Sequence, residues 1–262
     1  VSSLSPQGLK KLKFRKRLSI EQLKIPRYFA VFLNQNQSKA LSDKNVRLAL
    51  SHATDRAALL KNILDNDGTL VNSPMIGGIL DINSNIKSYD YDPGLAKKIL
   101  EETGWSAVDA DGIRGKGNEK LTLKLTTSTW PELIAVANAL KEQWRAVGIQ
   151  VTVETPPISQ LQQMIRDRNY QMLLFGEILN IDPDPFSLWH SSQKRDPGLN
   201  LALYDNGTAD KLLEDARQTL NPLERAKQYD DFQKLVVEDN PAIFLYSPYY
   251  LYGLTSGING FT

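Results

Sequence analysis

Apolar and polar positions alternate along the chain with two distinct periods. Tyr28 to Asn34, YFAVFLN, is a continuous apolar run rich in β formers and predicts a buried strand. In SDKNVRLALSHATDRAALLKNIL the residues Val46, Ala49, Leu50, Ala53, Leu60 and Ile63 recur at helical spacing, which predicts a helix with Ser42 or Asp43 as its cap and His52 within it. A second helix opens at Asp92-Pro93, carries Leu95, Ala96, Ile99 and Leu100 on one stripe, and closes at Gly104. After a glycine-rich hairpin at 108–119 the pattern becomes β-α-β-α-β. Strands are expected at 121–127, 149–154 and 170–176, and helices at about 133–147 and 158–168. Two further helices follow, Ala209 to Leu220 capped by Thr208, and Asn221-Pro222 to about Glu238. AIFLYSPYYLYGL (242–254) then reads as a strand that turns at Pro248 and leaves again. Strands alternating with helices give an α/β fold class, with a mixed or parallel sheet and helices on its faces.

Composition narrows the function. Of 262 residues 41% are hydrophobic, enough for one large core or two modest ones. The 31 basic and 30 acidic side chains nearly cancel, so no global field draws in nucleic acid or an anionic membrane. The basic run LKKLKFRKRL (9–18) has no interleaved aromatics to stack on bases and reads as a solvated face. Without cysteine there are no disulfides, thiolate nucleophiles or cysteine-ligated metals. The segment 108–119 fits neither a phosphate loop nor a calcium loop, where Arg114 stands at the glycine position, so no cofactor or metal is expected. No run reaches the ~20 apolar residues of a membrane helix. The opening VSSLSPQGLKK has no initiator Met and no apolar signal core, and the sequence reads as a piece of a longer protein.

DPDPFSLWHSS (182–192) gathers acid, imidazole, hydroxyl and aromatic groups directly after the third strand of the β-α-β-α-β run, where open α/β sheets place ligands. A serine triad lacks its elbow motif, and two histidines, His52 and His190, are too few for hydrolytic zinc. A carboxylate pair such as Glu177 and Asp182 suits acid–base work on a glycoside, so a carboxylate-based hydrolase is the alternative function. The composition fits a binding wall better. Phe186, Trp189 and the group Tyr246, Tyr249, Tyr250 and Tyr252 offer flat surface; Asn180, His190, Ser192, Gln193 and Asn200 offer hydrogen bonds. Phe186 and Trp189 suit equally a plug in the core below the loop.

Four stretches in order carry a family resemblance: YFAVFLN; SDKNVRLALSHATDRAALL; YDPGLAKKILEETGW; and GLNLALYDNGTADKLLEDARQTLNPLERAKQYDDFQKLVVEDNPAIFLY. Together, over about residues 28–255, they resemble the C-terminal lobe of extracytoplasmic solute-binding proteins of ABC importers, in the peptide/nickel-binding family. The resemblance implies a periplasmic-binding-protein-like lobe at 28–246. Residues 1–27 would be left from the other lobe or hinge, and 247–262 would return towards it. It implies a non-enzymatic protein outside the cytoplasm that captures oligopeptides or similar small solutes between two lobes. The membrane subunits of the importer would be its partners, and any lipoprotein anchor would lie outside this chain. In peptide binders an acidic group after the third strand pairs with the ligand's amino terminus; here Glu177 stands near the family's Trp position, and Asn180 or Asp182 near the acidic one. With its companion lobe missing, residues 1–27 and 247–262 are expected to be mobile or to pair with a neighbouring chain.

Overall fold

The computed structural model describes residues 6–11, 18–76, 86–180, 182 and 184–255. Its strands are β1 (Leu18–Leu23), β2 (Arg27–Leu33), β3 (Gly68–Leu70), β4 (Ala107–Val108), β5 (Arg114–Lys116), β6 (Glu119–Lys120), β7 (Thr122–Thr126), β8 (Gln150–Glu154), β9 (Met172–Ile178), β10 (Ala242–Pro248) and β11 (Tyr250–Thr255). Its α-helices are α1 (Pro6–Lys11), α2 (Lys39–Ser42), α3 (Lys44–His52), α4 (Arg56–Leu64), α5 (Pro93–Glu102), α6 (Pro131–Arg145), α7 (Ile158–Arg166), α8 (Phe186–Trp189), α9 (Gly207–Gln218) and α10 (Pro222–Asp239).

A six-stranded sheet in the order β3-β10-β2-β9-β7-β8 organises the fold. β7 runs parallel to β8 and β9, while β9–β2, β2–β10 and β10–β3 are antiparallel, so the sheet is mixed. β2 lies inside it and is buried at every position after Arg27, which explains its unbroken apolar run: both faces are covered. Successive side chains point to opposite faces. Phe29, Val31 and Leu33 pack with Val46, Leu50, Leu100, Leu140 and Trp144 from the helices on one side. Tyr28, Ala30 and Phe32 pack with Leu161, Leu213, Phe232 and Trp189 on the other.

Local chemistry places the helix ends. Asp92 accepts from the Leu95 amide with Pro93 at the first position of α5, and Asn221 caps α10 above Pro222 in the same way. Two expectations are corrected. The stretch 43–64 is two helices, α3 and α4, rather than one, and the short α2 precedes it. Asp43 caps α3 and Asp55 caps α4, and Thr54 Oγ1 donates to the Leu50 carbonyl, so short polar side chains at 54 and 55 take backbone partners and end the ladder. The cap of α9 is Asn206, which accepts from the amides of Thr208 and Ala209; Thr208 lies inside the helix. The hairpin at 108–119 gains a third strand, in the order β4-β5-β6.

The expectation for the chain ends is also corrected where the structure describes them. β1 and β11 pair with each other, antiparallel, from Leu18↔Thr255 to Leu23↔Tyr250. An intrachain partner satisfies the ladder that would otherwise seek a neighbouring chain. Residues 12–17, most of the basic run, and 256–262 lie outside the described residues. Among the described residues no helix is long and apolar enough to cross a membrane.

Candidate functional site

β7 and β9 run in the same direction; β7 stops opposite Leu173, while β9 runs on to Ile178 at one rim of the sheet. β2 begins at that rim, with Arg27 opposite Ile178, and β10 ends there at Pro248. A cavity of about 350 Å³ opens at this edge, between the sheet, the start of α6 and the start of β11. Its walls include Arg27, Phe29, Trp130, Glu132, Tyr246 and Tyr250.

The aromatic wall is built in sequence. Trp130 is the N-cap residue of α6 and is 48% exposed. It meets Phe29 edge-on at 6.3 Å between centroids, and Phe29 meets Tyr246 at 5.5 Å. Phe29 lies across β9, where Gly176 makes room: a Cβ there would stand 2.8 Å from the Phe29 ring. Two charged groups flank this wall. The Arg27 Nε and the Glu132 Oε2 are buried and neither has a hydrogen-bond partner. Burial pushes the Arg27 pKa down, while Tyr246 and Tyr250 act the other way. Burial raises the Tyr246 phenol well above its ordinary value; Glu132 adds to the rise and Arg27 opposes it.

The loop after β9 is a different kind of structure. Glu177 points to the opposite face from Phe29 and is buried. The Tyr28 hydroxyl donates to its Oε2, and its Oε1 has no partner. Burial raises its pKa to about 8, opposed by the Tyr28 bond, so the carboxyl is largely protonated at neutral pH. Trp189, 1% exposed, tilts against Phe32 and Phe244 and presents no surface to a ligand. Asn200 is fully buried. Its amide donates to the carbonyls of Trp189, His190 and Tyr204, and its oxygen accepts from the Tyr204 amide. It ties the loop shut.

The other loop residues are held by neighbours on the same lobe. His190 Nδ1 accepts from the Ser192 amide and lies 2.8 Å from the Ser192 hydroxyl. His190 Nε2 is 3.4 Å from Glu214, without hydrogen-bond geometry. Phe186 stacks on His190 at 4.2 Å, and the Arg217 guanidinium lies 4.3 Å from the Phe186 centroid. Gln193 donates to Ser192 Oγ and accepts at its carbonyl from the Asn200 amide. Asp182 pairs with Arg225, and Asp184 with Arg217. Of the nine residues singled out in the sequence, Asn180 stands exposed just beyond β9, whose last residue Ile178 is 74% exposed. Ser192 and Asp182 are also exposed.

Gly198 locks this loop. A Cβ there would stand 2.3 Å from the Gln193 carbonyl oxygen and 2.6 Å from its Cα, a clash with backbone that no rotamer relieves. Gly198→Ala is expected to destabilise the fold by about 2–3 kcal/mol in urea unfolding. Gly207→Ala, whose Cβ meets nothing within 4 Å, should leave the midpoint almost unchanged. Equal behaviour of the two variants contradicts the packing assigned to the loop.

Arg27, Trp130 and Glu132 were not among the residues singled out. Ligands in open α/β sheets lie beyond strand ends, and the segment directly beyond β7 is STWPE, 128–132, which carries two of the three. Among the described residues no cluster of three His, Cys, Asp or Glu suits a metal.

The sequence profile described as "Bacterial extracellular solute-binding proteins, family 5 Middle" matches residues 1–198. The oligopeptide-binding protein AppA of Bacillus subtilis is 30% identical over 224 residues, 83% of this chain and 41% of that protein. The dipeptide-binding protein of Escherichia coli is 24% identical over 230 residues, 87% of this chain and 42% of that protein. Among solved structures, Bacillus subtilis AppA in complex with a nonapeptide superposes with a TM-score of 0.88 at 27% identity, covering 98% of this chain and 51% of that one. NikZ from Campylobacter jejuni in complex with Ni(L-His) gives 0.86 at 28%, covering 98% and 52%. The chain spans less than half the length of these curated relatives.

Proposed function

The chain belongs to the family 5 bacterial extracellular solute-binding proteins, and from that premise we propose that it is one lobe of a two-lobed clamp that feeds an ABC importer outside the cytoplasm. The lobe proper is residues 28–246, with 1–27 and 247–262 leading to the companion lobe. Ligand lies between the lobes against the strand-end rim. Peptides or similar small solutes are the cargo, and the membrane subunits of the importer receive them. The observation that carries this reading is the open aromatic cavity at the rim, beside the ribbon of β1 and β11. A clamp works because ligand touches both lobes only when they close, so its preference for the closed state shifts the population.

The hydrolase alternative loses support from the geometry of its carboxylates. Glu177 is buried against Tyr28 and Asp182 is engaged by Arg225, so neither faces a substrate cleft as an acid–base pair. The buried loop residues Trp189 and Asn200 support the rim from behind, and Asn180 is exposed just beyond β9.

Titration calorimetry of the whole two-lobed protein with short peptides tests the reading. Trp130→Ala removes an exposed ring from the wall and should weaken binding about tenfold, the worth of one aromatic contact, with little change in melting temperature. Absence of heat with every peptide, or peptide turnover, overturns the proposal.

A further inference from the structure

We propose that Glu177 is a positioning residue for the rim, and that the proton on its carboxyl sets the aromatic wall: a neutral carboxyl holds the wall in place for solute, and an ionised one disturbs it. This names a regulation of the solute-capture site and, for its effect on affinity, rests on that reading.

The coupling is built from one cross-strand pair. Glu177 in β9 stands opposite Tyr28 in β2, with Gly176 opposite Phe29 and Ile178 opposite Arg27. Side chains alternate along a strand, so Glu177 and Tyr28 point to the covered face. Both neighbours of Tyr28, Arg27 and Phe29, line the cavity. The Phe29 ring lies directly on Gly176, the residue before Glu177. Carboxyl and wall are therefore one backbone step apart on both strands.

The carboxyl is sealed. Glu177 is 4% exposed and Tyr28 0%. Oε2 accepts from the Tyr28 hydroxyl, and Oε1 is buried without a partner. The groups that face it carry no charge. Tyr28 comes from β2 and Trp189 from α8; the indole Nε1 is buried and also without a partner. Tyr170, just before β9, donates to the Leu201 carbonyl, and burial holds its phenol far above the ordinary value. Arg168, which acts on Tyr170, spends its terminal nitrogens on the Ile165 and Gly198 carbonyls.

A neutral carboxyl fits this enclosure. A carboxylate in the same place has one hydrogen bond and no paired cation, which is costly away from water. Burial accordingly holds the Glu177 pKa up at about 8, opposed by the Tyr28 bond. Relief of the charge requires water to enter or Tyr28 to swing away. In a close-packed sheet either one displaces Arg27, Phe29 and Gly176. Solute that fits the undisturbed wall prefers the protonated form, so affinity falls as pH rises through about 8 and binding takes up a proton there.

NMR pH titration of the chain tests the coupling without solute. The Glu177 carboxyl carbon is expected to titrate near pH 8. The Phe29 amide, and the indole N–H of Trp130 that meets Phe29 edge-on, should move with the same midpoint. Glu177→Gln should abolish those movements. Tyr28→Phe removes the bond that opposes the rise and should carry the midpoint upward. Titration of Glu177 near its ordinary 4.5 overturns the proposal, as does titration near 8 with Phe29 and Trp130 unmoved. If Glu177→Gln fails to fold, the shared midpoint in the parent and its displacement in Tyr28→Phe still decide. Calorimetry of the two-lobed protein with short peptides reads the consequence. From pH 7 to pH 9 the parent should lose about tenfold in affinity relative to Glu177→Gln, a comparison in which the peptide's own amine cancels. At pH 8 the parent should also take up more protons on binding than the variant. Equal pH profiles overturn the proposal and leave solute capture standing. Absence of heat with every peptide removes solute capture and the effect on affinity, while the NMR titration decides whether Glu177 positions the rim.

Discussion

Glu177→Gln should flatten the fall in stability that the parent chain shows as pH rises from about 5 to 9. Buried beneath the β9 loop, the Glu177 carboxyl has its pKa raised to about 8 by desolvation, against an ordinary 4.5. Between those two values the folded chain keeps a proton that the unfolded chain has released. The stabilisation from this group is therefore complete below about pH 4.5 and is lost as pH climbs through 8. A difference of that size corresponds to roughly 4–5 kcal/mol. The glutamine amide stays neutral throughout and still offers an oxygen to the Tyr28 hydroxyl. The variant should match the parent near pH 5 and exceed it near pH 9. Urea midpoints of both proteins across this range isolate the effect, because every other titrating group is common to them. Parallel curves would remove Glu177 as the cause.

Arg47→Lys should be strongly destabilising although it keeps the charge. Arg47 is 5% exposed and spends its guanidinium on backbone. Nε donates to the Asn240 carbonyl at 3.0 Å, one terminal nitrogen to Leu41 and Ser42 at 2.9 and 3.2 Å, and the other to Asp239 at 2.7 Å. These carbonyls belong to the C-terminal ends of α2 and α10, which lack intrahelical donors. The planar fork spans both ends at once; an ammonium is a single point and cannot. At least two buried carbonyls would lose their donors, at about 1–3 kcal/mol each. A loss of roughly 3–4 kcal/mol follows, a fall of about 6–16 °C in melting temperature for a domain of this size. Arg166→Lys, on the exposed side of α7, serves as the control and should shift it by less than a degree or two. If Arg47→Lys melts with the parent, the fork does not hold α10 to the first helices.

The two faces of the sheet were written in the chain, because local period and burial coincide. Leu133, Val136, Ala137, Leu140 and Trp144 mark the inner stripe of α6, and all are buried. Asp92-Pro93 and Asn221-Pro222 cap their helices because the capping bond spans only a few residues. The break at Thr54-Asp55 escaped, since the apolar stripe runs on through it and only side-chain bonds interrupt the ladder. The site was harder still. Trp189 and Asn200 have the side chains of a ligand grip, but one fills the core and the other ties a loop; residue type does not distinguish these uses. The rim joins Arg27, Trp130 and Tyr246, which stand about a hundred residues apart from one to the next. No local periodicity links them. Sheet order does, and sheet order is not written in any short window.

The ribbon of β1 and β11 has a mechanical meaning. Leu18 and Thr255 face each other at its outer end, and Leu23 and Tyr250 at its root. Antiparallel pairing thus sets the entry to β1 beside the exit from β11. The cross-strand bonds of such a two-stranded ribbon resist lengthwise sliding but yield to flexing. In the clamp proposed above, a joint of that kind would keep the two arms aligned and still let a few contacts with cargo decide the angle.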